Sequence, residues 1–339
     1  MLSQFIETLK HFVHREADEQ KKQILSMWSE SVETRVSEGE AITDLVPVSI
    51  TFNRATFQLE RNLSKFRNGD ELRLNLGNPF LRPHVGCTLE SERANTLTVI
   101  AGYQEIFEDL RNKIWTLDRQ HVDVRHLLLG ALEELEFNAP KLRQFQNYIQ
   151  GKVVPDIHDG EYENACERAA LIGLDASQTE AFAKAVASRD FYLIQGPPGT
   201  GKTSVLAHIA AQLAWRGQRV LVTAFTHTAI NNALRKIAEK TDFANVYKIG
   251  QSHNAGVDEL GSVQNFEYFE HVKSSSQSGG FIVGGTCFAA RSKRLRDVRF
   301  DTVIFDEAGQ ITLPVAFAGM LCYQAKNTYL LATISKCHQ

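Results

Sequence analysis

Over residues 4–38, Phe5, Ile6, Leu9, Phe12, Ile24 and Met27 recur near helical spacing among many Glu, Lys and Gln. This spacing predicts one long amphipathic helix with a solvated charged face. Between residues 46 and 100 the pattern shortens to β-rich runs at 46–52, 55–59, 71–76, 86–89 and 96–100. Turn signals at Asn68-Gly-Asp70 and Gly77-Asn-Pro79 separate these runs, so a small antiparallel sheet or barrel is expected. Helical spacing returns at 103–110 and more strongly at 122–135, and a polar connector follows at 151–164. Beyond Leu174 the order is helix 178–188, strand 191–194, a glycine-rich turn, helix 203–215, strand 219–223 and helix 230–239. A Ser/Gly-rich insert at 274–280 reads as a flexible connection, and strands resume at 281–283 and 302–305. Such alternation implies a parallel sheet with helices on both faces and a ligand site beyond the carboxyl ends of its strands.

The turn between the strand at 191–194 and its helix is Gly196-Pro-Pro-Gly-Thr-Gly-Lys-Thr203, which fits G-x-x-x-x-G-K-[ST] at every fixed position. Gly196, Gly199 and Gly201 allow a tight turn in which backbone amides and a helix N-terminus converge on phosphate. The loop, with Pro197, Pro198 and Thr200 between the glycines, is therefore expected to hold ATP, Lys202 to reach the β- and γ-phosphates, and Thr203 to ligate Mg²⁺. A plain glycine turn would explain the glycines but not the Lys-Thr that ends them. About a hundred residues later the apolar run 302–305 delivers Asp306 and Glu307. A metal needs an anionic anchor and an attacking water needs a base, so Asp306 is assigned to Mg²⁺ and Glu307 to the water.

Composition adds little to this picture. The chain has 339 residues, 43% of them hydrophobic and 23% charged, as expected for packed globular domains. Its net charge of −3 means that nucleic-acid binding requires a local basic groove. The five cysteines are far apart and lack a C-x-x-C pair, which argues against a zinc site and fits a reducing cytoplasm. His121 and His126 read as surface or core histidines. No apolar stretch approaches the ~18 residues of a membrane span.

Leu174-Asp-Ala-Ser-Gln178, the phosphate loop, Val222-Thr-Ala-Phe-Thr-His227, Gly284-Gly-Thr-Cys287 and Asp306-Glu-Ala-Gly-Gln310 occur in an order and spacing that resembles the Upf-like superfamily 1 helicases. That group includes the nonsense-mediated-decay RNA helicase and the eukaryotic replication helicase–nuclease. The resemblance implies an adenine-reading role for Gln178 and a coupling role for Gln310. It places Thr226, His227 and Thr286 against single-stranded DNA or RNA, although Phe225 and His227 stand where Pro and Asn are more common. The basic run 291–296 reads equally well as added charge near the strand or as a solvated loop.

The resemblance also suggests a division of the chain: a stalk helix at 1–42, a 1B-like barrel at 43–101, helical stalk and linker at 102–165, and a RecA-like P-loop domain at 166–332. Residues 329–332 are expected to form a strand. Residues 333–339 depart from the family's Gly-Asp-x-x-Gln-Leu-Pro-Pro segment. One synonymous coding of 331–339, read in a shifted frame, restores Gly-Asp-His-Gln-Gln-Met-Pro-Pro, so this tail is expected to be frameshifted. The chain is then a fragment of a five-prime to three-prime helicase that binds Mg-nucleotide but turns it over poorly. Two rival readings stay open at this point: a non-enzymatic, nucleotide-gated nucleic-acid-binding remnant, and a P-loop ATPase unrelated to nucleic acid.

Overall fold

The computed structural model describes residues 2–60, 62–93, 95–101, 112–251, 260–272, 279–295, 297–321 and 330–334. The expected helix at 103–110 and most of the Ser/Gly-rich insert lie outside them. The chain divides into two compact units, one of residues 14–124 and one of residues 1–13 with 125–339.

The single helix expected over 4–38 is two. Helix α1 (Leu2–Ser29) ends before Ser31, whose hydroxyl accepts from the Thr34 amide and caps α2 (Val32–Ser37). A side-chain oxygen that satisfies a free amide starts a new helix, and apolar spacing does not register it. Six strands follow: β1 (Ala41–Ile50), β2 (Arg54–Gln58), β3 (Glu71–Asn75), β4 (Val85–Arg93), β5 (Thr96–Ile100) and β6 (Trp115–Arg119). They close into a barrel in the order β1-β2-β5-β4-β3-β6, with every pairing antiparallel. Phe57, Leu72, Leu74, Leu89, Leu97, Val99, Trp115 and Leu117 fill its interior.

Sequence reading had not anticipated β6, the strand that closes the barrel. Its Asp118 is a fully buried carboxylate, which by composition argues against an interior strand. Arg35 of α2 supplies the missing partner. Its Nε donates to Asp118 Oδ1 at 2.7 Å, its two terminal nitrogens donate to the carbonyls of Glu30 and Gly77 at 2.6 and 2.8 Å, and Asn75 donates to Asp118 Oδ2 at 2.8 Å.

The larger unit has α3 (Arg125–Glu136), α4 (Ala139–Ile149), α5 (Asp159–Leu171), α6 (Ala176–Ala187), β7 (Tyr192–Gln195), α7 (Lys202–Trp215), β8 (Arg219–Thr223) and α8 (His227–Lys240). Then come β9 (Val246–Ile249), β10 (Gln264–Phe266), β11 (Phe281–Gly284), α9 (Cys287–Arg291), β12 (Thr302–Phe305), α10 (Leu313–Met320) and β13 (Leu330–Ile334). Helix α5 begins inside the expected connector because the His158 ring accepts from the Glu161 amide and caps it. Helix α4, likewise not anticipated, is capped by Asn138.

Among the described residues seven strands form one parallel sheet in the order β10-β9-β11-β8-β12-β13-β7. Alternation along the strands sends side chains into two cores. Val220, Val222, Ile282 and Ile304 face one, with α5 to α8; Leu221, Val283, Val303 and Phe305 face the other, with α3, α4, α9, α10 and the start of α1. Helix α7 is apolar almost all round because it is buried between its neighbours, as a helix without a polar face must be. The α/β reading, a P-loop sheet with helices on both faces together with a small barrel in the same chain, is the architecture found. Strand β13 includes Thr333 and Ile334, the first residues of the segment set apart as a tail, and pairs with both β12 and β7; residues 335–339 lie outside the description. No helix among the described residues is long and apolar enough to cross a membrane.

Candidate nucleotide and strand site

Because the strands are parallel, their carboxyl ends share one edge of the sheet. The phosphate loop follows β7, Thr226 follows β8, Thr286 follows β11, and Asp306, Glu307 and Gln310 follow β12. Gln178 stands apart, on the first turn of α6, but its side chain reaches the loop.

Gly201 caps α7 with φ 78° and ψ 17° and offers no side-chain acceptor, so the first amides of α7 remain for an external anion. A β-carbon on Gly201 would lie 2.8 Å from Gln178 Nε2, and the left-handed φ alone already disfavours one. Gly199 has φ 82°. Lys202 folds over the loop and donates to the carbonyls of Gly196 and Pro197 at 2.8 and 2.9 Å, while the Thr200 hydroxyl also donates to Pro197 at 2.9 Å. Pro198 and Thr203 complete the stretch, with Thr203 in the first turn of α7.

Gln178 carries two bonds in addition to the adenine role assigned to it. Its Oε1 accepts from the Asp175 amide at 3.3 Å, closing a capping box on α6, and its Nε2 donates to the Thr200 carbonyl at 3.2 Å. This brace between α6 and the loop was missed, although the Asp-x-x-Gln spacing at 175–178 is a capping-box signal.

Asp306 is 5% exposed, and its amide donates to the Thr223 carbonyl at 2.8 Å, which holds the end of β12 against β8. The Glu307 amide donates to Asp306 Oδ1 at 3.0 Å. Glu307 adopts φ 53° and ψ 38°, a left-handed conformation uncommon for a residue that carries a side chain. Burial, and then the charge of Asp306, raises its carboxyl above the ordinary glutamate range. Gln310 is exposed at the end of a short 3-10 turn. The Thr203 hydroxyl and the Asp306 carboxylate are hard oxygen donors, the type that suits Mg²⁺.

Thr226 and Thr286 are built alike. Each is the N-cap of the helix after its strand, and its hydroxyl accepts from an amide three residues on, Ala229 at 3.1 Å and Ala289 at 3.0 Å. A hydroxyl that accepts in a cap still has its proton to donate. Cys287, next to Thr286, is a buried thiol pushed up to about 11 by desolvation, with its sulfur 3.4 Å from the Thr223 hydroxyl. His227 Nδ1 lies 3.3 Å from the ammonium of Lys248, a residue the sequence reading passed over.

Residues 173–280 match the AAA_11 family model, an AAA domain. The chain is 36% identical over 152 residues to the DNA replication ATP-dependent helicase/nuclease DNA2 of Saccharomyces cerevisiae, covering 42% of this chain and 10% of that protein. It is 33% identical over 207 residues to the Homo sapiens protein of the same name, covering 55% and 18%. To the Arabidopsis thaliana helicase/nuclease JHS1 it is 34% identical over 149 residues, covering 44% and 11%. The aligned stretch thus spans between a tenth and a fifth of the length of these relatives. In its motif order, in carrying a barrel and a P-loop sheet in one chain, and in its relatives, the chain is similar to the Upf-like superfamily 1 helicases.

Proposed function

We propose that this chain carries the ATP site and part of the strand-gripping surface of a helicase that moves five-prime to three-prime on single-stranded nucleic acid. The observation that supports the reading most is the convergence of phosphate loop, paired carboxylates and two capping threonines on one sheet edge. Nucleotide phosphates and strand phosphates then meet the same rigid layer, so a change at one is felt at the other.

In this reading Lys202 leaves the loop carbonyls and neutralises the β- and γ-phosphates, while the amides at the start of α7 hold their oxygens. Thr203 and Asp306 would hold Mg²⁺, which supplies charge neutralisation on the transferring phosphoryl group. Glu307 orients the attacking water and accepts its proton; its raised carboxyl suits it to act as a base. The Thr226 and Thr286 hydroxyls donate to strand phosphates, and Gln310 links the carboxylates to that surface. Since the named relatives act in DNA replication, single-stranded DNA is the strand to test first. The cytoplasm or the nucleus suits such a protein.

The test is ATP hydrolysis by the purified chain with and without a single-stranded oligonucleotide, alongside Lys202→Ala. Strand-stimulated hydrolysis that falls by roughly a hundredfold or more in the variant is the expected outcome. Equal nucleotide affinity and turnover in the two proteins would remove the basis of the site. Nucleotide-dependent strand binding without turnover would favour a nucleotide-gated binding module instead.

A further inference from the structure

Lys248 is fully buried on β9. Along this strand Val246 faces the core shared with α8, whereas Tyr247 and Ile249 face the opposite core, so alternation turns Lys248 towards α8. There its Nζ lies 3.3 Å from Nδ1 of His227, the first residue of α8. An ammonium withdrawn from water is destabilising by several kcal/mol unless its partners compensate, and packing alone would be better served by an alkyl side chain.

The chemistry of this contact is directional. While Lys248 carries its charge, the ammonium has three donors and no lone pair, so the His227 nitrogen facing it accepts and the ring proton sits on Nε2. A second proton on the ring is opposed twice, by the ammonium and by the positive end of the α8 dipole. Asn231, one turn further along α8, adds no charge.

We infer that Lys248 is a positioning residue for strand binding: it holds His227 as the neutral Nε2–H tautomer, a directional donor for an oxygen of the bound strand beside the Thr226 hydroxyl. This rests on the reading of residues 226–227 as a strand contact. It gives His227 the part of an uncharged hydrogen-bond donor, like the amide of an asparagine, and not that of a cation.

The experiment is nitrogen-15 NMR of the imidazole rings in the whole chain without ligand, with His227 assigned by His227→Ala. The expected His227 spectrum at neutral pH is that of a single Nε2–H tautomer. In Lys248→Met, whose folding circular dichroism checks, both tautomers are expected. Its affinity for a single-stranded oligonucleotide at low salt is expected to fall roughly tenfold. An Nδ1–H or doubly protonated ring in the wild type overturns the role of Lys248 and needs no variant to be seen. So does a Lys248→Met protein that keeps both the wild-type ring and the wild-type affinity. If His227→Ala binds strands as tightly as the wild type, the strand contact itself is misassigned and the inference falls with it.

Discussion

Glu307 joins chemistry to strain at one residue. Its backbone is left-handed, and burial and then the charge of Asp306 raise its carboxyl. The folded pKa lies above the ordinary value of 4.5, so the fold holds the protonated form better than the unfolded chain does. Stability from this group is therefore full below that ordinary value and lost as pH rises through the folded pKa. Glu307→Gln keeps the shape and removes the titration. Its melting temperature should overtake the wild type's as pH climbs through this window, while hydrolysis falls by roughly 10²–10⁴. Melting curves of the two proteins that stay parallel from acid to neutral pH would contradict the assignment. Thr226 and His227 differ from this pair in carrying no acid. Replacing both by alanine should weaken oligonucleotide binding by about tenfold and leave its slope in log salt nearly unchanged, because lost dipoles release no counterions. A double variant that binds as the wild type does at low salt would show that the strand lies elsewhere.

At the scale of elements, the sheet uses one construction twice: a buried parallel strand, a short turn, and a threonine that caps the next helix. It occurs at β8-Thr226-α8 and at β11-Thr286-α9. The two copies are locked together by the close approach of β11 to α8. A β-carbon on Gly284 would lie 2.4 Å from Leu234 Cδ1 and 2.8 Å from Ile230 Cγ2. Gly284→Ala should destabilise the protein by about 1–3 kcal/mol, the usual effect of overpacking, as read from denaturant midpoints. Because Thr286 stands two residues beyond, strand affinity should fall as well. A neutral midpoint would mean that α8 and β11 part more easily than their packing implies.

At the scale of the whole molecule, each unit has its own reason to be stable. The parallel sheet is covered on both faces, as its continuous apolar strands require. The barrel instead closes its edges and buries an ion pair on the outer face of β6, against α2, with Arg35 2% and Asp118 0% exposed. The two charges compensate each other, so removing one partner leaves the other charged in a dry site. Asp118→Ala should cost about 3–5 kcal/mol, and Arg35→Met combined with Asp118→Leu should cost much less. Equilibrium unfolding of the three proteins separates these cases; a double variant as unstable as the single one would show that α2 needs the bonds themselves.

What the chain announces without its structure is local. The phosphate loop and the strand that delivers Asp306 and Glu307 are each a few contiguous residues whose backbone chemistry is set by glycines and β-branched runs. They could be read one after another. The rest depends on partners distant in sequence. Strand β6 looks unlike an interior strand until Arg35, 83 residues earlier, meets Asp118. Gln178 braces the loop only because α6 is folded against it, 22 residues from Thr200. Lys248 reads as an ordinary charged residue until the sheet turns it towards His227, 21 residues away. A buried charge has no signature along the chain, since the same lysine or aspartate is equally at home in water; only tertiary structure supplies the group that makes its burial tolerable and gives it a task.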